Sequence, residues 1–95
     1  MAEAIHDVLL LPPDLPKDAV EQALYKLQCS ALFRGFRGSK SLDISAVADV
    51  IKAVGRLIRS FPSIVEIDIN PLVVYEKGKG AMALDALILV AGKER

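Results

Sequence analysis

Residues 64–90 read IVEIDINPLVVYEKGKGAMALDALILV, and this stretch decides the fold. Within residues 64–70, apolar side chains alternate strictly with acidic or amide side chains from Val65 to Asn70, which predicts a half-buried strand. Pro71 removes a backbone donor and predicts a bulge or a strand end at that point. The glycine-rich residues 77–80 predict a turn, after which residues 81–90 return as the second strand of an antiparallel hairpin.

Two amphipathic helices are predicted before the hairpin. Pro16 suits the first turn of a helix because its missing N–H is not needed there, and the apolar spacing after it predicts about three turns. Asp43 is a good N-cap for a second helix, which Pro62 ends. Apolar residues at i, i+3, i+4 and i+7 place one continuous stripe on this second helix, which predicts that it packs on the sheet.

The remaining segments complete an α+β domain. The apolar run 5–11 predicts a first strand that Pro12 and Pro13 stop, and the glycine-containing segment 29–42 predicts a loop. The order strand, helix, helix, strand, strand, strand predicts a mainly antiparallel four-stranded sheet with two helices on one face. With 95 residues and no linker or internal repeat, the chain is expected to form a single domain over 1–95.

The composition excludes intrinsic disorder and indicates apolar surface. Hydrophobic residues make up 53% of the sequence and charged residues 25%, and the mean hydropathy is +0.38. That hydropathy is high for a small domain, in which much of the chain must face water. Part of the apolar surface is therefore expected to be covered by something outside the chain.

Charge and targeting signals exclude several classes of partner. Twelve basic residues balance twelve acidic ones, so no net field favours nucleic acid or an anionic membrane. The sequence RGFRG at 34–38 could contact single-stranded RNA, but one short copy in a neutral domain is a weak signal. The N-terminus lacks the basic region of a signal peptide, and the longest apolar stretch is too short for a bilayer. A cytoplasmic protein with no nucleic acid or membrane partner is expected.

A row of oxygen-bearing side chains is predicted along the hairpin. If residues 77–80 form the whole loop, Asp85 lies opposite Leu72 and is a diagonal neighbour of Asn70 on the same face. Two carboxylates earlier in the strand complete the row: Glu66 and Asp68. Carboxylate and amide oxygens suit a hard cation such as Mg²⁺. From spacing alone, the acids of an ordinary solvent-facing strand are the commoner explanation.

Both predicted faces of the hairpin carry apolar residues. The face that holds Asp85 also holds Leu72, Val74, Leu87 and Leu89. The opposite face holds Met82, Leu84, Ile88 and Val90. Because two helices can cover only one face, the other is expected to meet a further layer.

The motifs of residues 31–90 resemble one enzyme family. In chain order they are GFRG at 35–38, LD at 42–43, a helix, FP at 61–62, EIDINPL at 66–72 and LDA at 84–86. The chain resembles the C-terminal part of the ATP-grasp domain of ADP-forming acyl-CoA (acetyl-CoA) synthetases. It is also similar to the succinyl-CoA synthetase β subunit and to the synthetase-like half of some bacterial protein acetyltransferases. The first 30 residues resemble the family loosely.

The resemblance implies a site for a magnesium–nucleotide complex. It implies that Asn70 and Asp85 bind the Mg²⁺ that bridges ATP phosphates, and that Asp68 is an additional ligand or supports one. It also implies that Arg37 of the GxRG motif points toward the phosphates or the phosphorylated intermediate, as a catalytic and nucleotide-binding residue. Mg²⁺ and ATP/ADP are thus the cofactors expected of the complete enzyme.

The chain departs from the family pattern in two respects. Leu87 stands where family members usually carry a basic residue directly after Asp-Ala. A complete ATP-grasp domain is about twice this long, and the part that supplies the clamping lysine and most adenine contacts has no counterpart here. The chain alone is therefore expected to be inactive.

Three functional hypotheses remain open on the sequence. The first is part of an ADP-forming acyl-CoA synthetase, a ligase whose partners are the rest of the ATP-grasp domain, CoA-binding domains or a subunit, and an acyl-CoA substrate. The second is a non-catalytic α+β module that dimerises or binds a ligand through its second apolar face, which allows a homo-oligomer. The third is a degenerate ATP-grasp remnant.

Two single residues complete the sequence picture. Cys29 excludes an internal disulfide because it has no second cysteine to pair with, and it is expected to be a small buried side chain rather than a nucleophile. His6 has no recognisable catalytic neighbour. In the family the phosphorylated histidine belongs to another domain, so His6 is not nominated for that role.

Overall fold

The computed structural model describes residues 7–27, 29–35 and 38–92. It contains helices and antiparallel strands, so the predicted α+β class is confirmed. The helices are α1 (Lys17–Leu24), α2 (Ser30–Arg34) and α3 (Ile44–Ser60). The strands are β1 (Ile64–Ile69), β2 (Leu72–Val74), β3 (Ala81–Ala83) and β4 (Ala86–Val90).

The helices begin where the sequence predicts, although their number differs. Pro16 immediately precedes α1, and Asp43 caps α3 by accepting a hydrogen bond from the Ala46 N–H at 3.0 Å. Helix α1 has 8 residues and is shorter than the predicted three turns. Helix α2 has 5 residues and lies in the segment predicted to be a loop, so that prediction is wrong for part of 29–42.

The core lies between α1 and α3. Its most buried side chains come from these two helices, each 9% exposed or less: Val20, Leu24, Ile44, Val47 and Ala48. Leu72 and Val74 of β2 pack against the same cluster. The predicted stripe of α3 therefore faces both α1 and the hairpin.

The hairpin of residues 64–90 contains two short antiparallel ladders. Strand β1 pairs with β4, and β2 pairs with β3, so the four strands form two two-stranded ladders rather than one four-stranded sheet. Leu72 lies opposite Ala83, where the sequence predicted Asp85, so the predicted register is wrong by two residues. The physical reason is the position of the turn, which is centred one residue earlier than predicted: the Tyr75 N–H donates to the Gly80 carbonyl at 3.0 Å, and the Lys79 N–H donates to the Glu76 carbonyl at 2.9 Å.

Strand assignment is interrupted at Asn70 and Pro71, between β1 and β2, and the alternation of side chains restarts after this interruption. Leu72 lines one apolar groove with Ile67 and Ile69 of β1 and with residues of α3. Leu72 and Val74 therefore lie on the helix side of the hairpin, and the prediction that they share a face with Asp85 is wrong. Each ladder has its own alternation of side chains. The face on which a residue of β2 lies therefore cannot be predicted by counting from β1 across Pro71.

The N-terminal segment forms no strand in its described part. Residues 7–11 form no strand pairing with the described chain, and residues 5 and 6 of the predicted first strand lie outside the described residues. The segment then crosses α3 at Gly55, where an added Cβ would lie 2.5 Å from the Pro13 carbonyl oxygen. Only a residue without a side chain permits that close crossing.

Strand β4 is exposed along its whole length. Every residue of β4 is exposed, including Leu87 at 53%, Ile88 at 49% and Leu89 at 43%. Apolar side chains thus reach solvent from both faces of this strand, as predicted for at least one of them. Across the three described ranges, no helix is both long enough and apolar enough to cross a membrane.

Candidate functional site

The centre of the candidate site is the pair Asn70 and Asp85. The Asn70 N–H donates to the Asp85 carbonyl oxygen at 3.0 Å, directly beyond the paired residues Ile69 and Ala86. This places Asn70 and Asp85 opposite each other, closer than the diagonal relation that follows from the predicted position of the turn. Side chains of directly opposed residues lie on one face with Cβ atoms about 5 Å apart. A register error of two residues leaves each side chain on its predicted face. Asn70 and Asp85 are therefore neighbours on one face, as predicted, despite the error.

Asp68 lies two residues before Asn70 and on the same side of the hairpin. It is exposed and pairs with Leu87, whereas Ile67 and Ile69 are half-buried toward α3. In the described part of the chain, no three His, Cys, Asp or Glu side chains are close enough to hold a metal ion together. The donor set is therefore an amide and a carboxylate, with the Asp68 carboxylate about 7 Å along the strand. Such a set fits Mg²⁺, which is bound by one or two carboxylates while phosphate and water complete its octahedron.

Gly38, the last residue of the arginine–glycine loop (residues 34–38), lies beside the hairpin turn. Arg37 lies outside the described residues, as does His6. Gly38, next to Arg37, borders a cavity that is also lined by Tyr75, Glu76 and Lys79 at the hairpin turn. From Tyr75 to Asn70 the strand runs five residues, or about 17 Å at 3.3 Å per residue.

Arg34 is engaged within the chain. Its guanidinium lies 4.3 Å from the centre of the Tyr25 ring, a cation–π contact, and Tyr25 meets Phe33 edge to face at 6.4 Å between centroids. These contacts join α2 to the end of α1. Arg34 is therefore a structural link between helices as well as an exposed cation beside the hairpin turn.

Asp43 has a larger role than the helix cap that the sequence predicts. It is 8% exposed, and its second carboxylate oxygen accepts hydrogen bonds from Gly78 N–H at 3.1 Å and Gly80 N–H at 2.9 Å. The Gly80 N–H, the Ala46 N–H, the Gly78 N–H and the more distant charge of Lys17 lower the pKa of Asp43, although burial opposes them. Residues this far apart in sequence carry no local pattern, so sequence reasoning could find only the cap.

The stability of the fold should depend on the ionisation of Asp43. Because folding lowers its pKa, the carboxylate stabilises the fold above the ordinary aspartate value of about 4, and this contribution is lost as pH falls through the lowered pKa. For Asp43→Asn we expect a lower Tm at neutral pH and a flatter fall of Tm between about pH 5 and pH 2. Thermal unfolding followed by circular dichroism measures both, with Asp14→Asn at an exposed position as the control. An equally steep fall in Asp43→Asn and wild type would contradict this role.

Cys29 is exposed rather than buried, so that expectation is wrong. Its N–H donates to the Asp7 carboxylate at 2.9 Å. Partial desolvation of the thiol, together with the hydrogen bond and negative charge of Asp7, raises the pKa of Cys29. A raised pKa disfavours the thiolate at neutral pH.

The chain belongs to the ATP-grasp domain family, whose model matches residues 1–90. Among curated relatives, it is 42% identical over 89 residues to a trans-feruloyl-CoA synthase of an unknown prokaryotic organism. It is 34% identical over 88 residues to the β subunit of ADP-forming acetate–CoA ligase I of Pyrococcus furiosus. The matches cover 94% and 93% of this chain. The chain spans 13% of the first relative and 37% of the second.

Solved structures place the fold in the same group of enzymes. The acetyl-coenzyme A synthetase 1 of Ca. Korarchaeum cryptofilum, in complex with coenzyme A and Mg-AMPPCP, superposes with a TM-score of 0.73 at 32% identity. That match covers 80% of this chain and 35% of the other. PH1788 of Pyrococcus horikoshii superposes with a TM-score of 0.75 at 25% identity, covering 84% of this chain and 34% of the other. The chain thus matches the ATP-grasp portion of ADP-forming acyl-CoA synthetases.

Proposed function

We propose that this chain forms one wall of the nucleotide site in an ADP-forming acyl-CoA synthetase. The complete enzyme would convert ATP, an acid and coenzyme A into ADP, phosphate and an acyl-CoA, by way of a phosphorylated histidine in another part of the protein. The observation that carries the proposal is the opposed pair of Asn70 and Asp85 on one face of the hairpin. An amide oxygen and a carboxylate at that spacing fit the protein's share of a Mg²⁺ coordination shell.

Each proposed site residue has its own chemical role. Asn70 and Asp85 would hold Mg²⁺, and Asp68 would support them from one step along β1. When bound, the metal neutralises negative charge on the ATP phosphates. Arg37 would stabilise charge on the transferring phosphoryl group, because a guanidinium gives two parallel hydrogen bonds to phosphate oxygens. Its assignment rests on the GFRG motif.

The proposal includes a covering partner, namely the rest of the ATP-grasp domain and CoA-binding domains or a subunit. The chain spans only 37% of its P. furiosus relative, so most of a comparable subunit has no counterpart in it. Strand β4 reads ALILV without a polar residue and is exposed throughout. Continuous apolar runs of this kind are typical of strands covered on both faces. The isolated chain would then lack the other wall of the site and be inactive.

Phosphoenzyme formation tests the function without knowledge of the acyl group. The complete protein, incubated with γ-labelled ATP and Mg²⁺, should acquire an acid-labile, base-stable phosphohistidine, and added ADP should return the label to ATP. EDTA should prevent the labelling, and the isolated chain should show none. Labelling that does not depend on Mg²⁺, or release of AMP and pyrophosphate instead of ADP, would contradict the proposal.

A further inference from the structure

The position of the hairpin turn decides which residue lies opposite Asn70. The Tyr75 N–H donates to the Gly80 carbonyl, and in this observed register Asn70 lies opposite Asp85. A turn centred one residue later gives a shifted register, in which Leu87 opposes Asn70 and Asp85 is a diagonal neighbour. Cβ atoms lie about 5 Å apart in opposed residues and about 7 Å apart in diagonal ones. Two oxygens on one Mg²⁺ lie within about 4.2 Å of each other, so the observed register suits a shared ion better.

The turn residues alone do not select that position. The turn contains two glycines, Gly78 and Gly80, with φ values of +87° and +89°. Glycine adopts such values without steric cost, so a segment with two glycines allows a turn at more than one position. The choice between the observed and the shifted register therefore needs a contact from outside the turn.

The chain that leads into α3 holds the near side of the turn by its backbone. The Lys77 N–H donates to the Ser41 carbonyl at 2.8 Å, and the Asp43 N–H donates to the Tyr75 carbonyl at 2.9 Å. The residues between these bonds form an isolated antiparallel bridge. Residues 41–43 thus run as a short strand beside residues 75–77, and they fix where the first half of the turn lies.

The Asp43 side chain holds the far side of the same turn. One carboxylate oxygen caps α3, and the other accepts from the Gly78 N–H at 3.1 Å and the Gly80 N–H at 2.9 Å. Asp43 therefore holds Gly80 against Tyr75, the pair that closes the turn in the observed register. Hydrogen bonds to a charged acceptor are stronger than neutral ones, and this acceptor is 8% exposed. A shifted turn would take both glycine donors away from it.

We propose that Asp43 is a positioning residue that selects the register of the hairpin and thereby places Asp85 opposite Asn70 for one Mg²⁺. The inference rests on the proposed function, in which those two residues hold the metal. Asp43 itself is assigned no contact with metal or nucleotide. Its loss should divide the hairpin between the two registers and weaken metal binding, without removing any ligand.

The test measures the free Mg²⁺ at which phosphohistidine formation by the complete protein is half-maximal, at fixed ATP and well below the Tm. Asp43→Ser keeps an oxygen that can cap α3, but a serine hydroxyl is too short to hold Gly78 and Gly80 as well. We expect it to raise the half-saturating Mg²⁺ about tenfold, because apparent affinity falls with the fraction of molecules in the competent register. At saturating Mg²⁺ the rate per folded molecule should recover to within about twofold, because the metal favours the register that binds it.

Val20→Ala is the control for a general loss of stability. Val20 is 2% exposed in the core, and no hydrogen bond joins its side chain to the turn. This variant should keep the half-saturating Mg²⁺ within about twofold of wild type. A Mg²⁺ requirement in Asp43→Ser no higher than in Val20→Ala, or a rate that falls equally at every Mg²⁺ concentration, would overturn the positioning role. If Asp43→Ser does not accumulate as folded protein, Asp43→Asn serves, since it replaces one acceptor oxygen by a donor.

A disulfide that locks the observed register provides a rescue. Val73 lies opposite Met82, so Val73→Cys with Met82→Cys can be bridged in this register. In a Cys29→Ser background, oxidation should return the Mg²⁺ requirement of Asp43→Ser to within about twofold of wild type. Reduction with dithiothreitol should bring the defect back. A disulfide that forms and leaves the defect in place would overturn the inference.

A second cysteine pair separates failure of this inference from failure of the proposed function. Val73 and Leu84 are diagonal neighbours in the observed register, with Cα atoms about 7–8 Å apart, and are opposed in the shifted one. Val73→Cys with Leu84→Cys therefore forms a disulfide readily only in the shifted register. If Asp85→Asn abolishes phosphorylation and Asp43→Ser needs no more Mg²⁺ than wild type, the function stands and the positioning role is overturned.

If Asp85→Asn leaves phosphorylation normal, the metal assignment fails, and this diagonal cysteine pair decides whether Asp43 selects the register. Faster disulfide formation with Asp43→Ser than with Asp43 in place supports that selection. Equal rates overturn it.

Discussion

Asp85→Asn in the complete protein is expected to abolish ATP-dependent phosphorylation, with a loss of about a thousandfold or more. The substitution keeps the shape of the side chain and removes the negative charge that Asp85 would contribute to Mg²⁺ beside the neutral amide of Asn70. Asp85 is exposed, and its side chain makes no hydrogen bond or ion pair with the described residues. The fold should therefore be unchanged, which circular dichroism and thermal unfolding will show.

Glu66→Gln is the matched control for that experiment. Glu66 lies on β1 opposite Leu89, on the solvent side with Asp68, and undergoes the same exchange of a carboxylate for an amide. We expect it to retain phosphorylation within about twofold, because it lies too far along the strand to share a ligand with Asp85. Normal turnover by Asp85→Asn would sink the metal assignment, and equal losses in both variants would show a general effect of charge on this face.

The second large effect is expected from lysines in β4. Leu87→Lys combined with Leu89→Lys should prevent the complete protein from reaching a folded, soluble state. Each buried leucine contributes about 1.5–3 kcal/mol, and a buried unpaired charge costs more. In the isolated chain both side chains are exposed, so the same pair should change the unfolding free energy by less than about 0.5 kcal/mol.

Gln22→Lys combined with Ser60→Lys adds the same charge at two exposed helix positions away from β4. This control should leave the yield and Tm of the complete protein unchanged. If the β4 pair behaves like this control, nothing in the complete protein covers β4, and the covering partner is excluded.

Sedimentation of the isolated chain tests the alternative hypothesis of a non-catalytic module. A tight dimer that the β4 lysines dissociate would favour dimerisation through this face.

Much of the fold could be predicted because it depends on local signals. The boundaries of α3 follow from a capping aspartate, a regular apolar stripe and a terminating proline. The alternation of residues 64–70 likewise fixes which side of β1 faces α3. The predicted register is wrong because the turn is centred one residue earlier, where Tyr75 bonds to Gly80, and a glycine-rich segment allows a turn at more than one position.

The part that could not be predicted depends on contacts between distant segments. Helix α2 lies in a glycine-containing segment, and its Arg34 and Phe33 contact Tyr25 at the end of α1. The bonds from Asp43 to Gly78 and Gly80 join the start of a helix to a turn that comes two strands later. The candidate metal pair was predictable because its residues share one hairpin. The bonds from Asp43 to the hairpin turn and the contacts of α2 with Tyr25 were not.

The opposed placement of Asn70 and Asp85 within one hairpin has a consequence for how such enzymes assemble and diverge. Their separation is set by neighbouring backbone pairs, so it is established by local folding and does not wait for the other half of the domain. Recombination could therefore exchange the opposite lobe while the two proposed metal ligands stay together on one hairpin. Loss of that lobe leaves the pair in place and removes only the chemistry built around it.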